Sequence, residues 1–286
     1  MRKAIVAGQF YEGGFNELDK QIRSCFEGKF GPGDFPTKRS EKRILGVIAP
    51  HAGYMYSGQC QAWAYKEIAE SAFPDLYVIL GLSHAGLPTC LSLQNWETPF
   101  GIVKVEEVFA RALMEKGIKV DEGVHSHEHS IEAQLPFLQF VNKDKLNQIK
   151  IVPLIASDDV NYKELAEKVV KTIDETGKRA VFIASSDFTH LGISYGYMPF
   201  RTDIKKSMYG LDRGAIKLIE ELKSSKFLQY VDGTGATICG KNPIAVVVEA
   251  CRMLGAENAS LLCYYTSGDV IGDYSNAVGY SSIVIR

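Results

Sequence analysis

Four apolar stretches of this 286-residue chain each lead into side chains able to bind a metal or move a proton. They run to His51, to His84, to the pair Asp187 and His190 and, less cleanly, to Cys239. The other three histidines stand together in His125-Ser126-His127-Glu128-His129, so none of the six is left for an ordinary position. Two imidazoles with a carboxylate or a thiolate suit Fe(II), Zn(II) or copper, and sulfur shifts the preference toward zinc or copper. Asp187 and His190, three apart, can share one side of a turn. There the carboxylate would fix the His190 tautomer and leave its other nitrogen as a proton acceptor. In extended form the 125–129 run would set its three imidazoles on one face, just ahead of a helix starting near Ser130, as a polar lid or a substrate-orienting group.

The elements that must carry these residues alternate. Strand-like runs, rich in β-branched and aromatic residues, occupy 44–49, 76–81, 90–94, 102–105, 150–155, 180–185, 260–266 and 278–285. Helical patterns fill 15–26, 58–71, 108–116, 131–141, 162–175, 203–222 and 243–254. The three almost wholly apolar strands, 44–49, 76–81 and 180–185, read as central and covered on both faces, and the 90–105 meander makes the sheet mixed. The expected fold is α/β, a single domain over 1–286 with a central mixed, largely parallel sheet flanked by helices. In open sheets of this kind ligands bind outside the carboxyl ends of the strands, where His51, His84 and Asp187 all fall.

The segment Gly235-Ala236-Thr237-Ile238-Cys239-Gly240-Lys241-Asn242 is one residue short of a phosphate-binding loop, with Asn242 where the Mg²⁺-binding hydroxyl belongs. The preceding 227–232 makes a poor strand, which argues against nucleotide binding. Asn242 as N-cap and Pro243 in the first turn would aim a helix dipole at the loop and lower the Cys239 pKa, making a thiolate ligand or nucleophile.

Composition narrows the partners. A net charge of −2 gives no basic field for nucleic acid, and the local run Lys38-Arg39-Ser40-Glu41-Lys42-Arg43 reads as a solvated loop. The apolar run behind Met1 is too short for a signal-peptide core, and 244–250, interrupted by Glu249, is too short for a membrane span. Six scattered cysteines without a Cys-x-x-Cys fit reduced thiols, so the expected location is cytoplasmic.

Six ordered motifs resemble the MEMO family: Gly8-Gln9-Phe10-Tyr11, Pro50-His51-Ala52-Gly53-Tyr54, Gly81-Leu82-Ser83-His84, Glu128-His129-Ser130-Ile131-Glu132, Ser185 to His190, and Gly233-Thr234-Gly235 through Cys239-Gly240. The resemblance implies a fold like the class III extradiol dioxygenases and a pocket at the sheet edge that binds iron, copper or zinc. It implies His51, His84 and Cys239 as ligands, Asp187 and His190 as catalytic residues, and Glu128, His129 and Tyr54 at the rim. A redox role, an extradiol-type dioxygenase activity, and a binding module for peptides, phosphotyrosine peptides among them, or for another protein partner are all expectations of that likeness. Glu12 and Leu82 stand where the family's motifs usually have proline. A cysteine in place of the dioxygenases' carboxylate ligand alters charge donation and invites sulfur oxidation, so ring cleavage does not follow.

Overall fold

The computed structural model describes residues 1–286. Its strands are β1 (Gly46–Ala49), β2 (Leu76–Gly81), β3 (Cys90–Leu91), β4 (Trp96–Thr98), β5 (Gly101–Val105), β6 (Lys150–Ile155), β7 (Ala180–Ser185), β8 (His190–Gly192), β9 (Ala259–Thr266) and β10 (Asn276–Ile285). The helices are α1 (Phe15–Glu27), α2 (Tyr54–Glu70), α3 (Glu107–Glu115), α4 (Glu122–Ser126), α5 (Leu135–Val141), α6 (Tyr162–Thr176), α7 (Ile204–Glu220), α8 (Ser224–Thr234), α9 (Lys241–Met253) and α10 (Ser267–Ile271). One sheet orders its strands β4-β5-β6-β2-β7-β1-β10-β8, with β3 pairing to β6 and β9 to β10. The five from β5 to β1 are parallel, and antiparallel strands close both flanks. The mixed, largely parallel sheet flanked by helices is therefore as expected.

Strands β1, β2 and β7 are buried at every position but the first of β7, which is why they read as unbroken apolar runs rather than alternating ones. Helices α1, α2 and α5 pack together, with α2 on β1, β9 and β10; α9 packs on β1, β2 and β7, backed by α6 and α8. Sixty-eight buried residues form one continuous core.

Local departures have local causes. The expected 90–94 strand stops at Leu91, because the Glu122 carboxylate takes the Leu93 N–H and the Ser92 hydroxyl in place of a ladder partner. Helix α2 starts at Tyr54, four residues earlier than the pattern suggested. The 131–141 helix divides into a 3₁₀ turn, Glu132–Gln134, and α5, with Pro136 in the first turn. The 227–232 stretch lies inside α8, so helix rather than strand precedes the glycine loop, and no phosphate-loop architecture forms. Helix α9 is capped by Gly240, two residues before Asn242, whose side-chain amide instead donates to Ser157 O and Asp158 Oδ1.

Candidate functional site

Three neighbouring parallel strands deliver the site. In the order β2-β7-β1, Leu80 lies beside Ala184 and Ala49 beside Ser185, so the strands end level. The chain then places His84, Asp187 and His51 side by side within two to three residues of those ends. Gly81 is required here, since a Cβ would lie 2.5 Å from Ser130 Oγ and 2.7 Å from Ile131 Cγ1. That close approach brings the 128–131 segment, and His129 with it, against β2. Cys239 arrives on the loop before α9, fixed by the Thr189–Ile238 bridge and by Gly240 N–H donating to Ser186 Oγ (3.0 Å).

The ligand atoms of His51, His84 and His129 lie within 4.8 Å of one another, and so do those of His51, Asp187 and Cys239. His51 belongs to both sets. His84 and Cys239, expected in one set, fall on either side of it. His51 Nε2 is 3.4 Å from Cys239 Sγ and 3.9 Å from Asp187 Oδ2. Metal bonds of about 2.0 Å to nitrogen and 2.3 Å to sulfur at a tetrahedral angle put N and S about 3.5 Å apart, so the first pair is spaced to share an ion.

Hydrogen bonds settle which nitrogens are free. Ser185 Oγ gives its proton to Ser130 O (2.6 Å) and accepts from Gln134 Nε2 (2.8 Å). Toward His51 Nδ1, 3.0 Å away, it can only accept, so Nδ1 carries the proton and Nε2 keeps its lone pair. Burial, opposed by the Asp187 charge and reinforced by the neighbouring His129 and His84, holds the His51 pKa down at about 4, so the ring is neutral at pH 7. His84 Nδ1 stands 3.0 Å from both Glu128 oxygens and is their donor, which leaves its Nε2 free as well. Burial would lower the His84 pKa, but the Glu128 hydrogen bond and charge raise it overall. Glu128 also accepts from the N–H groups of His84, His129 and Ser130; burial would raise its pKa, and these bonds with the His84 charge bring it well below the usual range.

His51, His84, His129 and Asp187 face a cavity of about 370 Å³ together with Phe10 and His190, with Tyr56, Tyr195 and Tyr280 among its walls. His129 stacks on His84 at 4.5 Å and is packed by Phe10 at the same centroid distance. His190 lines the cavity outside both ligand sets. It opens β8, which pairs with β10, so β1 and β10 separate it from Asp187 at the end of β7. The Asp187–His190 pairing expected from their spacing does not form. His190 Nδ1 donates to Phe188 O (3.0 Å) and Thr237 O (3.1 Å), while Asp187 Oδ1 accepts from the His51 and Ala52 N–H groups. Carbonyls, not Asp187, therefore set the His190 tautomer and leave its Nε2 unprotonated in the neutral ring.

Other expectations are corrected by burial and by helix geometry. The Cys239 thiol is pushed well above its ordinary pKa, because burial and the Asp187 charge outweigh its backbone and Ser186 hydrogen bonds. Tyr54, expected at the rim, is buried inside α2 and donates to Ala133 O (2.7 Å). Glu128 is buried behind His84 rather than exposed at the rim, while His129 does line the cavity. Helix α4 and the turn after it break the alternation of the 125–129 run: His125 is buried edge-on to Trp96, and His127 is exposed and bonded to Ser126 and Gly123. Sequence reading missed Ser185 and Gln134, which fix the His51 tautomer, and the tyrosine walls. Ser185 was visible as the last residue of its strand; Tyr195, ending a single 3₁₀ turn, Ile193–Tyr195, left no signal.

A protein-family model described as Memo-like protein matches residues 2–284. Similar curated proteins include MEMO1 family proteins of Methanopyrus kandleri, 40% identical with 100% of this chain and 99% of the relative covered, and of Nitrosopumilus maritimus, 39% identical with 99% and 98% covered. A crystal structure of an uncharacterized protein from Escherichia coli K12 superposes with a TM-score of 0.54 at 15% identity, covering 85% of this chain and 100% of that one, which speaks to the fold alone. With a family model spanning nearly every residue and full-length relatives near 40% identity, the chain belongs to the Memo-like family.

Proposed function

We propose that the strand-end cavity is a transition-metal site centred on His51, which can share an ion with Cys239 and Asp187 on one side or with His84 and His129 on the other. The observation that carries this reading is the His51 ring: Ser185 holds the proton on Nδ1, and the free Nε2 faces a thiol at 3.4 Å and a carboxylate at 3.9 Å. Imidazole and sulfur donors favour iron, copper or zinc over magnesium or calcium. Such an ion would supply Lewis acidity and, for iron or copper, a redox couple. The chain's own part is to fix the imidazole tautomers, to present His190 Nε2 as a proton acceptor, and to enclose a small ligand between Phe10 and the tyrosines. A phosphate would meet the Asp187 carboxylate with no lysine or arginine lining the cavity, which favours the metal reading over phosphopeptide capture.

Metal analysis of protein purified without chelator, then loaded separately with Zn(II), Cu(II) and anaerobic Fe(II), tests the assignment. One ion per chain is expected, with stoichiometry lost in His51→Ala and reduced in His84→Ala and Cys239→Ser. Unchanged stoichiometric metal in all three variants would sink it.

A further inference from the structure

At the far end of α2, away from the histidines, lies a second cavity of about 320 Å³. Tyr56 lines the first cavity and Ala69 the second, thirteen residues on, so about 20 Å of helix separates them. Three cations from three separate segments line it: Arg23 of α1, Arg39 of the 38–43 basic run, and Lys143 after α5. Phe35 and Phe140 form its apolar walls with Pro36 and Val141.

Arg39 is not the solvated side chain its sequence context suggests. Its guanidinium donates to Asn142 Oδ1 (2.9 Å), Ser71 O (3.2 Å) and Ile68 O (3.4 Å), and its Nε is buried without an acceptor. The other two cations are held on aromatic rings. Arg23 Cζ is 5.5 Å from the Phe35 centroid and 5.6 Å from that of Phe140, and Lys143 Nζ is 3.9 Å from the latter. Two carboxylates answer the three cations. Asp19 bonds both Arg23 Nε (2.7 Å) and Lys143, and Asp144 stands 3.6 Å from Arg39. Neither terminal nitrogen of Arg23 has a protein acceptor, and Lys143 has donors to spare after Asp19.

We propose that this cavity is a second binding site, for a small organic anion whose carboxylate or phosphate group is attached to a planar apolar body. The excess cation and the unused Arg23 and Lys143 donors recognise the charge, in the geometry that makes arginine suited to planar oxyanions. Phe35, Pro36, Phe140 and Val141 cover the body, and the volume matches small-molecule sites. Because Asp19 and the two rings already hold the cations in place, little side-chain freedom is lost on binding.

Calorimetric titration of 2-naphthoate into wild-type and His51→Ala protein, alongside neutral 2-naphthol and inorganic phosphate alone, tests the proposal. The expected result is saturable one-to-one binding of 2-naphthoate by His51→Ala protein, tighter than either comparison probe and weakened by added salt. An Arg23→Gln/Lys143→Gln double variant with an unchanged melting temperature is expected to bind about tenfold or more weakly. The site is overturned if 2-naphthoate does not saturate in the millimolar range, if 2-naphthol binds as tightly, or if the folded double variant keeps full affinity. The naphthol and salt arms decide the matter on unaltered cations should the double variant fail to fold.

Discussion

At the scale of single residues, the site depends on buried groups that never touch the cavity. Glu128 binds both the ring and the backbone N–H of His84 and ties in the next two residues, so it orients the imidazole and sets its tautomer. Partners of this kind are commonly worth 10- to 100-fold in metal affinity, so Glu128→Gln should weaken binding by about that factor in a chelator competition. An equal affinity in the variant would mean that His84 does not hold the ion. Ser185 acts on His51 in the same way, since removing its oxygen frees the ring to take the tautomer that turns a proton toward Cys239.

At the scale of elements, two close approaches decide whether the site assembles. The first is Gly240, where a Cβ would fall 2.4 Å from Ser186 Cβ and 2.7 Å from Ser185 O. Gly240→Ala should push the loop off β7 and carry Cys239 away from His51, at a cost of about 1–3 kcal/mol by overpacking. Metal binding should fall while far-UV circular dichroism stays native; full binding would show that the loop tolerates the methyl. The second is the N-terminal arm, which brings Phe10 to the cavity. Glu132 anchors it by accepting from Ile5 and Val6 N–H, Tyr11 Oη–H and Arg2. The Arg2–Glu132 pair is almost fully buried, and breaking one partner of such a pair strands the other, so Glu132→Gln should cost roughly 3–5 kcal/mol by chemical denaturation. A loss under 1 kcal/mol would show that the arm is held by packing alone.

At the scale of the whole molecule, Asp212 links α7 to the start of β8 and to β9 by accepting from Thr189 and Tyr264. Burial raises its pKa to about 6 despite those hydrogen bonds. A folded pKa above the unfolded one means that protonation favours the fold: the contribution is complete below the unfolded value of 3.8 and is lost as pH rises through about 6. The gap is worth about 3 kcal/mol, so the wild type should lose stability over that window relative to Asp212→Asn, and parallel pH profiles of the two would refute the assignment. The same division between near and distant causes explains what could be read from the chain alone. Apolar runs gave β2, β6 and β7 to the residue, because a strand covered on both faces advertises itself within six positions. Its end then marks where a side chain can reach over the sheet edge, which located His51, His84 and Asp187. The short edge strand β8 carried no such pattern, since its partner β10 lies far along the chain, with His190 opposite Val278. Only the folded sheet set β7 between β2 and β1 and gave His190 to a different strand from Asp187. Only the fold, too, set the half-buried Cys239 beside His51 and Asp187 and brought Ser185, Gln134 and Glu128 to the imidazoles. Local sequence specifies an element's period and its ends; strand order, burial and hydrogen-bond partners arise from contacts dozens of residues apart, and those contacts fixed the chemistry of the site.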